Sequence, residues 1–451
     1  MLNTRRAAPG LFLLGMSVLM LEITLTRILS VMSWHHFAYL IISLALLGFG
    51  AASSYLTVSP RFRTTDFDEG VIARYALGYC IATVFAFATM TKILFYPLDA
   101  YMHRDYSQAY SLLLLYAVVG VPFFFAGTCI GYLLSRAGEA VNKLYFADLI
   151  GAGSGALLAI LAINTLGAEA TIYLVATSAG LVALLYAAPR DGWVRIGSLV
   201  AVGICALMTF AAARTELFPV YFPPEKLFRE ALAPHYFRWH VISRVDVLEP
   251  ESRWWSFGGA LSRKFEGEFP PVRGVYQDGA APTGIMNVPP GTSIQDIPIL
   301  GYYLQRAPYI VKEGAARGLV IGVGGGIDVL MALHAGVRHV TGVELNPLMV
   351  DAVKSRFADF AGRVFDRPDV ELVQSEGRHY LSTHTDRSDQ ERFDVIQLSG
   401  VDTYNAASAG AYALSENYLY TFEAMREFWG NLTDTGIVSY SRFLFEPDRE
   451  T

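Results

Sequence analysis

The chain has 451 residues and a formal net charge of -6, and it is 53% hydrophobic but only 17% charged. A water-soluble domain carries about 25% charged residues, so this composition excludes an ordinary soluble globule. The mild charge, with no basic stripe, gives no nucleic-acid signature.

Apolar runs of membrane length crowd the chain before about residue 213, and charged, Pro- and Gly-rich sequence dominates after it. A span needs about 20 mostly apolar residues, which puts candidate spans at roughly 10–32, 37–58, 71–95, 108–135, 146–166, 168–188 and 195–213. Arg5 and Arg6 precede the first run as in a signal peptide, but Glu22 and Arg27 lie inside it and no small-x-small cleavage site follows. The first run therefore reads as a retained span. Pro122 in the fourth run is tolerated as a kink. A tight turn near Gly167 separates the fifth and sixth.

Ionisable groups inside spans are costly and each needs an account. Glu22 and Arg27 read first as an internal ion pair or a snorkelling arginine, and second as a polar pocket. Asp148 reads as interfacial, and the small residues Gly151, Gly153, Gly155 and Ala156 after it as a helix-packing face. His35 and His36, beside Trp34, read as interfacial anchors. Cys80, Cys129 and Cys205 lie in apolar runs without metal or disulfide spacing and read as packing residues.

Charge bias sets orientation. Arg5 and Arg6, Arg61 and Arg63, Arg136 and Lys143, and Arg190 and Arg195 fall in alternate connections, and little beyond Arg104 falls in the others. The N-terminus is thus expected in the cytoplasm. Seven spans would then place the C-terminal half outside, against the cytosolic origin of the ligand argued below. The expectation is a multi-pass inner-membrane protein with a cytoplasmic C-terminal half, one span having been miscounted.

Residues 214–241, with Pro219, Pro223, Pro224 and Pro234 among aromatics, read as a connector along the membrane surface. ISRVDVLEP alternates as a strand does, and WWSFGG and GVYQDGAAPTGIMNVPP follow as short strand-like pieces. Together they predict a small antiparallel β unit over about 236–295.

From Arg317 strands alternate with helices, which predicts a parallel α/β sheet of five strands. GLVIGVGGGIDVLMALHAG reads as strand, glycine turn and helix, HVTGVELNP as a second strand, and PDVELVQSEGRHYL as a third strand ending in Glu376. FDVIQLSGVD is a fourth strand, NYLYTFEAMREFWGNL a helix and GIVSYSRF a fifth strand. Ligands of such sheets bind beyond the carboxyl ends of the strands. Gly322, Gly324, Gly325 and Gly326 would let the backbone approach a ligand, with Gly377 beside the third strand. Glu344, about 18–20 residues on, suits ribose hydroxyls. Glu376 is placed for an adenine amino group. The run GVGGGID puts Ile327 and Asp328 where a dinucleotide fingerprint needs its last glycine, which favours an adenosyl amino-acid ligand over NAD and ranks a dinucleotide oxidoreductase lowest. VDTYNAASAGAYALSENYLY, with Tyr404, Tyr412 and Tyr418, reads as a lid.

YQDG, IGVGGGIDVL, TGVELNP, QSEGRHYL and FDVIQLSGVDTY resemble the spermidine synthase family from about 242 to 443. The whole chain looks like multi-span membrane proteins carrying a spermidine-synthase-like domain. The resemblance implies residues 1–213 as a helical membrane domain, 214–295 as linker and small β domain, and 296–451 as a Rossmann-like domain of class I methyltransferase type. It implies decarboxylated S-adenosylmethionine or S-adenosylmethionine as donor, with no metal. A small-molecule amine or an amphiphilic acceptor, membrane lipid and a second copy of the chain are the implied partners. Glu344 then corresponds to the ribose acid, Glu376 to the adenine-side acid and Asp402 to the second acid of the gating loop.

Two departures matter. Gly325 stands where the family's glycine turn carries an amine-holding aspartate, and Ser399 where the gating loop begins with one. Asp328, Asp278 and Asp402 are the candidate replacements, and Asp402, Tyr404 and Asp328 the candidate catalytic residues. The departures count against ordinary polyamine synthesis and leave adenosyl-donor binding intact. A nucleotide-sensing or transport protein is the alternative. The sequence stops just after the fifth strand, where the family's domain continues, so a fragment with an unfinished sheet edge is expected.

Overall fold

The computed structural model describes residues 4–33, 40–62, 67–93, 95, 106–188, 191–220, 222, 234–251, 260–384, 391–401 and 418–441. The chain divides into two compact units, 1–230 with Trp239–Val241, and 231–238 with 242–451. The small β sheet and the α/β part therefore belong to one unit, and residues 214–220 go with the helices.

The first unit is a bundle: α1 (Thr4–Met32), α2 (Leu40–Val58), α3 (Glu69–Met90), α4 (Ser107–Ser135), α5 (Val141–Leu166), α6 (Ala168–Tyr186) and α7 (Gly192–Ala212). Among the described residues seven helices are long and apolar enough to cross a membrane, the fifth counted from Gly138. α1 begins six residues before the expected span and takes in Arg5, Arg6 and Pro9. α4 runs unbroken through Pro122. Gly167, with φ 92, is the single residue between α5 and α6.

α1 and α5 meet backbone to backbone. A Cβ on Gly151 would stand 2.2 Å from the Phe12 carbonyl oxygen, and one on Gly155 2.3 Å from that of Met16. Gly153 faces open space. The small-residue face expected after Asp148 is thus the contact itself, where close approach replaces side-chain interdigitation. Asp148 lies seven residues inside α5, its carboxylate against Gly15. Glu22 and Arg27 form no ion pair with each other. Five residues apart, they are separated by roughly 140° around the helix. Arg27 instead bonds the Ser30 hydroxyl. Cys80, Cys129 and Cys205 are buried free thiols, and the Sγ atoms of Cys80 and Cys205 are 3.8 Å apart.

Polar contacts gather at both ends of the bundle. At one end Arg6 pairs with Glu69 at 3.2 Å, Arg74 with Asp191 at 3.9 Å, and Arg136 donates to the Phe62 carbonyl at 2.7 Å. These are the connections expected to carry the basic residues. At the other end buried Glu169, in the first turn of α6, accepts from the backbone N–H groups of Leu217 and Phe218 at 3.1 and 3.0 Å. The chain therefore leaves the bundle at the end opposite the basic connections. Trp34, His35, His36 and Arg104 lie outside the described residues.

The second unit opens with a four-stranded sheet of β1 (Tyr236–Trp239), β2 (Arg244–Glu251), β3 (Val272–Gln277) and β4 (Ala281–Met286), in that order. β2, β3 and β4 pair antiparallel. Val245 and Val247 alternate into the core while Arg244 and Asp246 share the other face, buried and bonded to each other at 2.8–3.1 Å. WWSFGG lies outside the described residues.

The second sheet is β5 (Arg317–Ile321), β6 (His339–Glu344), β7 (Val370–Gln374), β8 (Phe393–Ser399) and β9 (Leu432–Ser441), all parallel in the order β7-β6-β5-β8-β9. This is the doubly wound arrangement, with its switch point between β5 and β8. Val320 faces one core and Leu319 and Ile321 the other, so a strand covered on both faces reads as a continuous apolar run. α8 (Ala307–Val311) precedes β5. α9 (Ile327–His334) follows it, α10 (Pro347–Asp351) follows β6, α11 (Gly377–Ser382) follows β7, and α12 (Phe422–Gly430) leads into β9.

The Gly151 and Gly153 pair gives a controlled test. Gly151→Leu should destabilise the bundle by about 1–3 kcal/mol or prevent its assembly, because the obstructing atom is backbone. Gly153→Leu, two residues away, should leave the detergent melting temperature of the full chain unchanged. Equal effects of the two would show that α1 and α5 do not meet as described.

Candidate functional site

A cavity of about 570 Å³ opens at the carboxyl ends of β5, β6 and β8 and is closed on another side by the β3–β4 hairpin. That is where a doubly wound sheet binds ligands, and the volume suits a nucleoside-sized molecule with a small co-substrate.

The glycine turn is built by its own hydrogen bonds. The Gly322 N–H donates to Val343 O at 2.8 Å and the Gly326 N–H to Val323 O at 2.9 Å. Gly322, Gly324 and Gly326 all have positive φ, which other residues adopt only at a cost. Gly322 and Gly324 line the cavity. Gly325 and Gly326, also expected at the ligand, are not among the residues that line it. Gly326 starts α9 with its Cα facing Phe365. Gly325 packs under the hairpin: a Cβ there would stand 2.0 Å from the Gly284 carbonyl oxygen, and its N–H donates to Thr283 Oγ1 at 3.0 Å.

Glu344 ends β6 and lines the cavity, 7% exposed. One carboxylate oxygen accepts from the Gly324 N–H at 2.9 Å and the other from the Asn346 N–H at 2.8 Å. Burial pushes its carboxyl above the usual range, against the downward pull of those N–H donors. A carboxylate has about four lone-pair sites, so with the Leu345 N–H also bonded to it there is capacity left for a ligand hydroxyl. Asn346 extends the link. Its side-chain NH2 donates to Ser243 Oγ and Gln277 Oε1, both at 2.6 Å, and its Oδ1 caps α10 through the Leu348 N–H at 3.1 Å.

Glu376 does not end the third strand as expected. β7 stops at Gln374, and Glu376 is the N-cap of α11, accepting from the Arg378 and His379 N–H groups at 2.9 and 2.7 Å. A carboxylate at that position satisfies helix donors that have no other partner. It still lines the cavity, as does Gly377, whose missing side chain lets α11 approach Ile321. Asp278, in the β3–β4 turn with φ 53, also lines the cavity, while its Oδ1 accepts from the Arg244 N–H at 2.7 Å.

Asp328 lies in the first turn of α9 and faces the cavity. Burial pushes its carboxyl up to about 6, opposed in part by a hydrogen bond from Ser399. Ser399 Oγ in turn accepts from Gln397 Nε2 at 3.0 Å, and the same nitrogen donates to the Gln305 carbonyl at 3.1 Å. Asp328, from the neighbouring helix, and Ser399 are thus in hydrogen-bond contact at the cavity. Tyr303 lines this part of the cavity and Tyr309 is buried close by. Burial pushes both phenols upward, so they stay neutral. Asp402, Tyr404 and most of the expected lid lie outside the described residues.

Among the described lining residues, then, there are four carboxylates, Asp278, Asp328, Glu344 and Glu376, and no lysine, arginine or histidine. No group of three or more metal-type ligands occurs among the described residues. Sequence reasoning missed Asn346, Ser243, Gln277, Thr283 and Gln305. Asn346 and Gln277 sit inside the quoted motifs TGVELNP and YQDG, where the acids drew the attention.

No family model matches the chain. Its C-terminal part is homologous, at low identity, to polyamine aminopropyltransferases. Polyamine aminopropyltransferase 1 of Pseudomonas aeruginosa is 32% identical over 116 residues, 26% of this chain and 38% of that protein. The polyamine aminopropyltransferase of Pseudomonas syringae pv. tomato is 30% identical over 116 residues, with the same coverage. The match thus spans little more than a third of these relatives' own length. Among solved structures, spermidine synthase from Thermotoga maritima aligns with a TM-score of 0.30 at 19% identity, covering 46% of this chain and 55% of that one. A spermidine synthase in complex with the transition state analogue AdoDATO aligns at 0.28 and 19%, covering 46% and 56%.

The raised carboxyl of Asp328 makes stability pH-dependent in a defined sense. Its folded value near 6 lies above the unfolded value of about 4. The stabilisation is therefore complete below pH about 4 and lost as pH rises through 6, a change of about 2–3 kcal/mol. Asp328→Asn should match the parent near pH 4 and be more stable by that amount at pH 7.5, read from paired melting curves. A constant difference across the range would show the carboxyl to be unperturbed.

Proposed function

We propose that the chain is a membrane-embedded transferase of spermidine synthase type. It binds decarboxylated S-adenosylmethionine, with S-adenosylmethionine as the second donor, and passes the alkyl group to an amine. The observation that carries this reading is the anionic cavity at the sheet's switch point, with no basic side chain among its described lining residues. A sulfonium donor bearing an ammonium group is cationic and suits such a cavity. The pyrophosphate of a dinucleotide would face four carboxylates. Homology of the C-terminal part to polyamine aminopropyltransferases supports the same choice.

In this reading Glu344 holds the ribose hydroxyls through its free lone pairs, and Glu376 closes the adenine side. The amine nitrogen attacks the propyl carbon next to sulfur, the C–S bond breaks, and its electron pair stays on sulfur, leaving neutral methylthioadenosine. Positive charge moves from sulfur to nitrogen through a transition state that fixed carboxylates stabilise. Asp328, ionised at neutral pH and held by Ser399, accepts the proton that the new ammonium gives up. Tyr404 and Asp402 belong to the lid side of this scheme.

Calorimetry on the full chain should show binding of the donor and of methylthioadenosine. Glu344→Gln should weaken the donor by about tenfold or more, as loss of a charge-assisted pair does. Asp328→Asn should keep the nucleotide and lose turnover by about 10²–10⁴-fold. Nucleotide binding with no turnover by the parent would favour the sensor reading, which the glycine at 325 supports.

The helical unit is the membrane anchor in this reading, and its seven apolar helices support that. Two constraints then oppose each other. The basic connections mark one end as cytoplasmic, and the chain leaves from the other. The donor is cytosolic, and access to it is a chemical necessity, whereas charge bias is a tendency, so the catalytic unit is placed in the cytoplasm. Protease added to inverted vesicles should digest the C-terminal half. Its protection would put the donor out of reach and end the transferase reading.

A further inference from the structure

Resting on that transferase reading, we infer that Gln397 is a positioning residue, which through Ser399 aims a hydroxyl hydrogen at Asp328 and so keeps that group ready to accept a proton. Gln397 lies on β8 and pairs with Val320 of β5, at the centre of the sheet. It is 0% exposed and is not among the residues that line the cavity, so any effect on the reaction passes through a neighbour. Val395 and Val320, beside it on the same face, belong to the apolar core. A buried amide in such surroundings is costly, and its Oε1 accepts no hydrogen bond among the described residues.

The direction of each hydrogen bond follows from its neighbours. The Gln305 carbonyl can only accept, and it lies 3.1 Å from one end of the Gln397 amide. That end is the nitrogen, because the amide oxygen there would set lone pair against lone pair. The same nitrogen lies 3.0 Å from Ser399 Oγ, so it donates into a serine lone pair. A hydroxyl carries a single hydrogen. With Gln397 donating on one side, that hydrogen is left for the partner on the other, the Asp328 carboxyl. A hydrogen bond offered to a carboxylate favours its ionised form. Two residues on one face of β8 thus set the state of a group on α9.

Among the described residues, burial and the Ser399 hydroxyl are what act on the Asp328 carboxyl, and no neighbouring charge does. α9 packs against the segments 294–296, 298–302 and 304–306 and against β4, β5 and β6. Those elements carry Asp296, Tyr302, Arg306, Arg317, His339 and Glu344, and α9 itself carries His334. Tyr309 is the described group that Asp328 acts on in turn, and burial pushes its phenol upward, so it stays neutral.

The test reads where Asp328 titrates. The stability of each protein, as the full chain in lipid nanodiscs, is compared with that of its Asp328→Asn counterpart from about pH 4 to pH 9. The folded carboxyl lies above its unfolded value, so the stability it contributes is lost as pH rises, and the loss levels off near the folded value, about 6 in the parent. Gln397→Met, close in volume but without a donor, should move that point up by roughly one unit, a tenfold change in proton affinity. Ser399→Ala should move it as far or further. Adding Gln397→Met to Ser399→Ala should move it no more, because the two act in series. Turnover of decarboxylated S-adenosylmethionine with 1,4-diaminobutane should fall roughly fivefold at pH 6 in Gln397→Met and recover by about pH 8.5, with the donor KM unchanged. Gln397→Leu replaces the methionine variant if that one does not fold. An unmoved titration in the Gln397 variant, or shifts of the two substitutions that add, overturns the inference whatever the activity. Absence of methylthioadenosine from the parent ends the transferase reading alone, and the titration still decides the link from Gln397 to Asp328.

Discussion

The second unit is organised around one buried carboxylate. Glu344 is taken out of water at the end of β6, and such a group is costly unless its oxygens are satisfied. Backbone donors do this: the Gly324 N–H fixes the glycine turn against β6, and the Asn346 N–H fixes the entry to α10. Asn346 then carries the link to Ser243 at the start of β2 and Gln277 at the end of β3. One chain of hydrogen bonds thus sets the spacing between the two sheets and so the width of the cavity between turn and hairpin. Removing the carboxylate leaves two buried N–H groups and an asparagine without their anchor, so the site and the fold share a single support.

The cost of the arrangement lies in its sign. Four carboxylates line one cavity with no lysine, arginine or histidine among its described lining residues, and burial raises the carboxyls of Asp328 and Glu344. The protein limits this by tying three of them to backbone N–H groups and one to a hydroxyl. Backbone donors stabilise charge without supplying a counter-ion, so the field of the cavity remains negative. In the proposed transferase reading, a cationic donor would balance that field.

Features set by neighbouring residues were legible in the sequence, and features set by the meeting of distant segments were not. The five strands of the parallel sheet show as apolar runs, and the glycine turn with Glu344 follows from local spacing. The small-residue face of α5 was also readable, since Gly151 and Gly155 repeat at helical spacing. Helix phase, however, separates Glu22 from Arg27, so proximity in sequence misled there. Glu376 lies only two residues past its strand, yet that is enough to make it a helix cap. Nothing near Gly325 announces Gly284, some forty residues earlier, as its partner. Nor does the sequence say that Asp328 would reach Ser399, because that contact needs α9 and β8 to lie side by side.

The Gly325–Gly284 contact also fixes what the glycine turn can carry. The resemblance implies an acid at this position. Here the glycine is coupled to the hairpin, whose backbone occupies the volume that the side chain would need. Thr283 reinforces the contact by accepting the Gly325 N–H. An aspartate at 325 would therefore have to move β3 and β4 outward, and with them Gln277 and its bond to Asn346. The hydrogen-bond chain that supports Glu344 also reaches this hairpin, through Gln277.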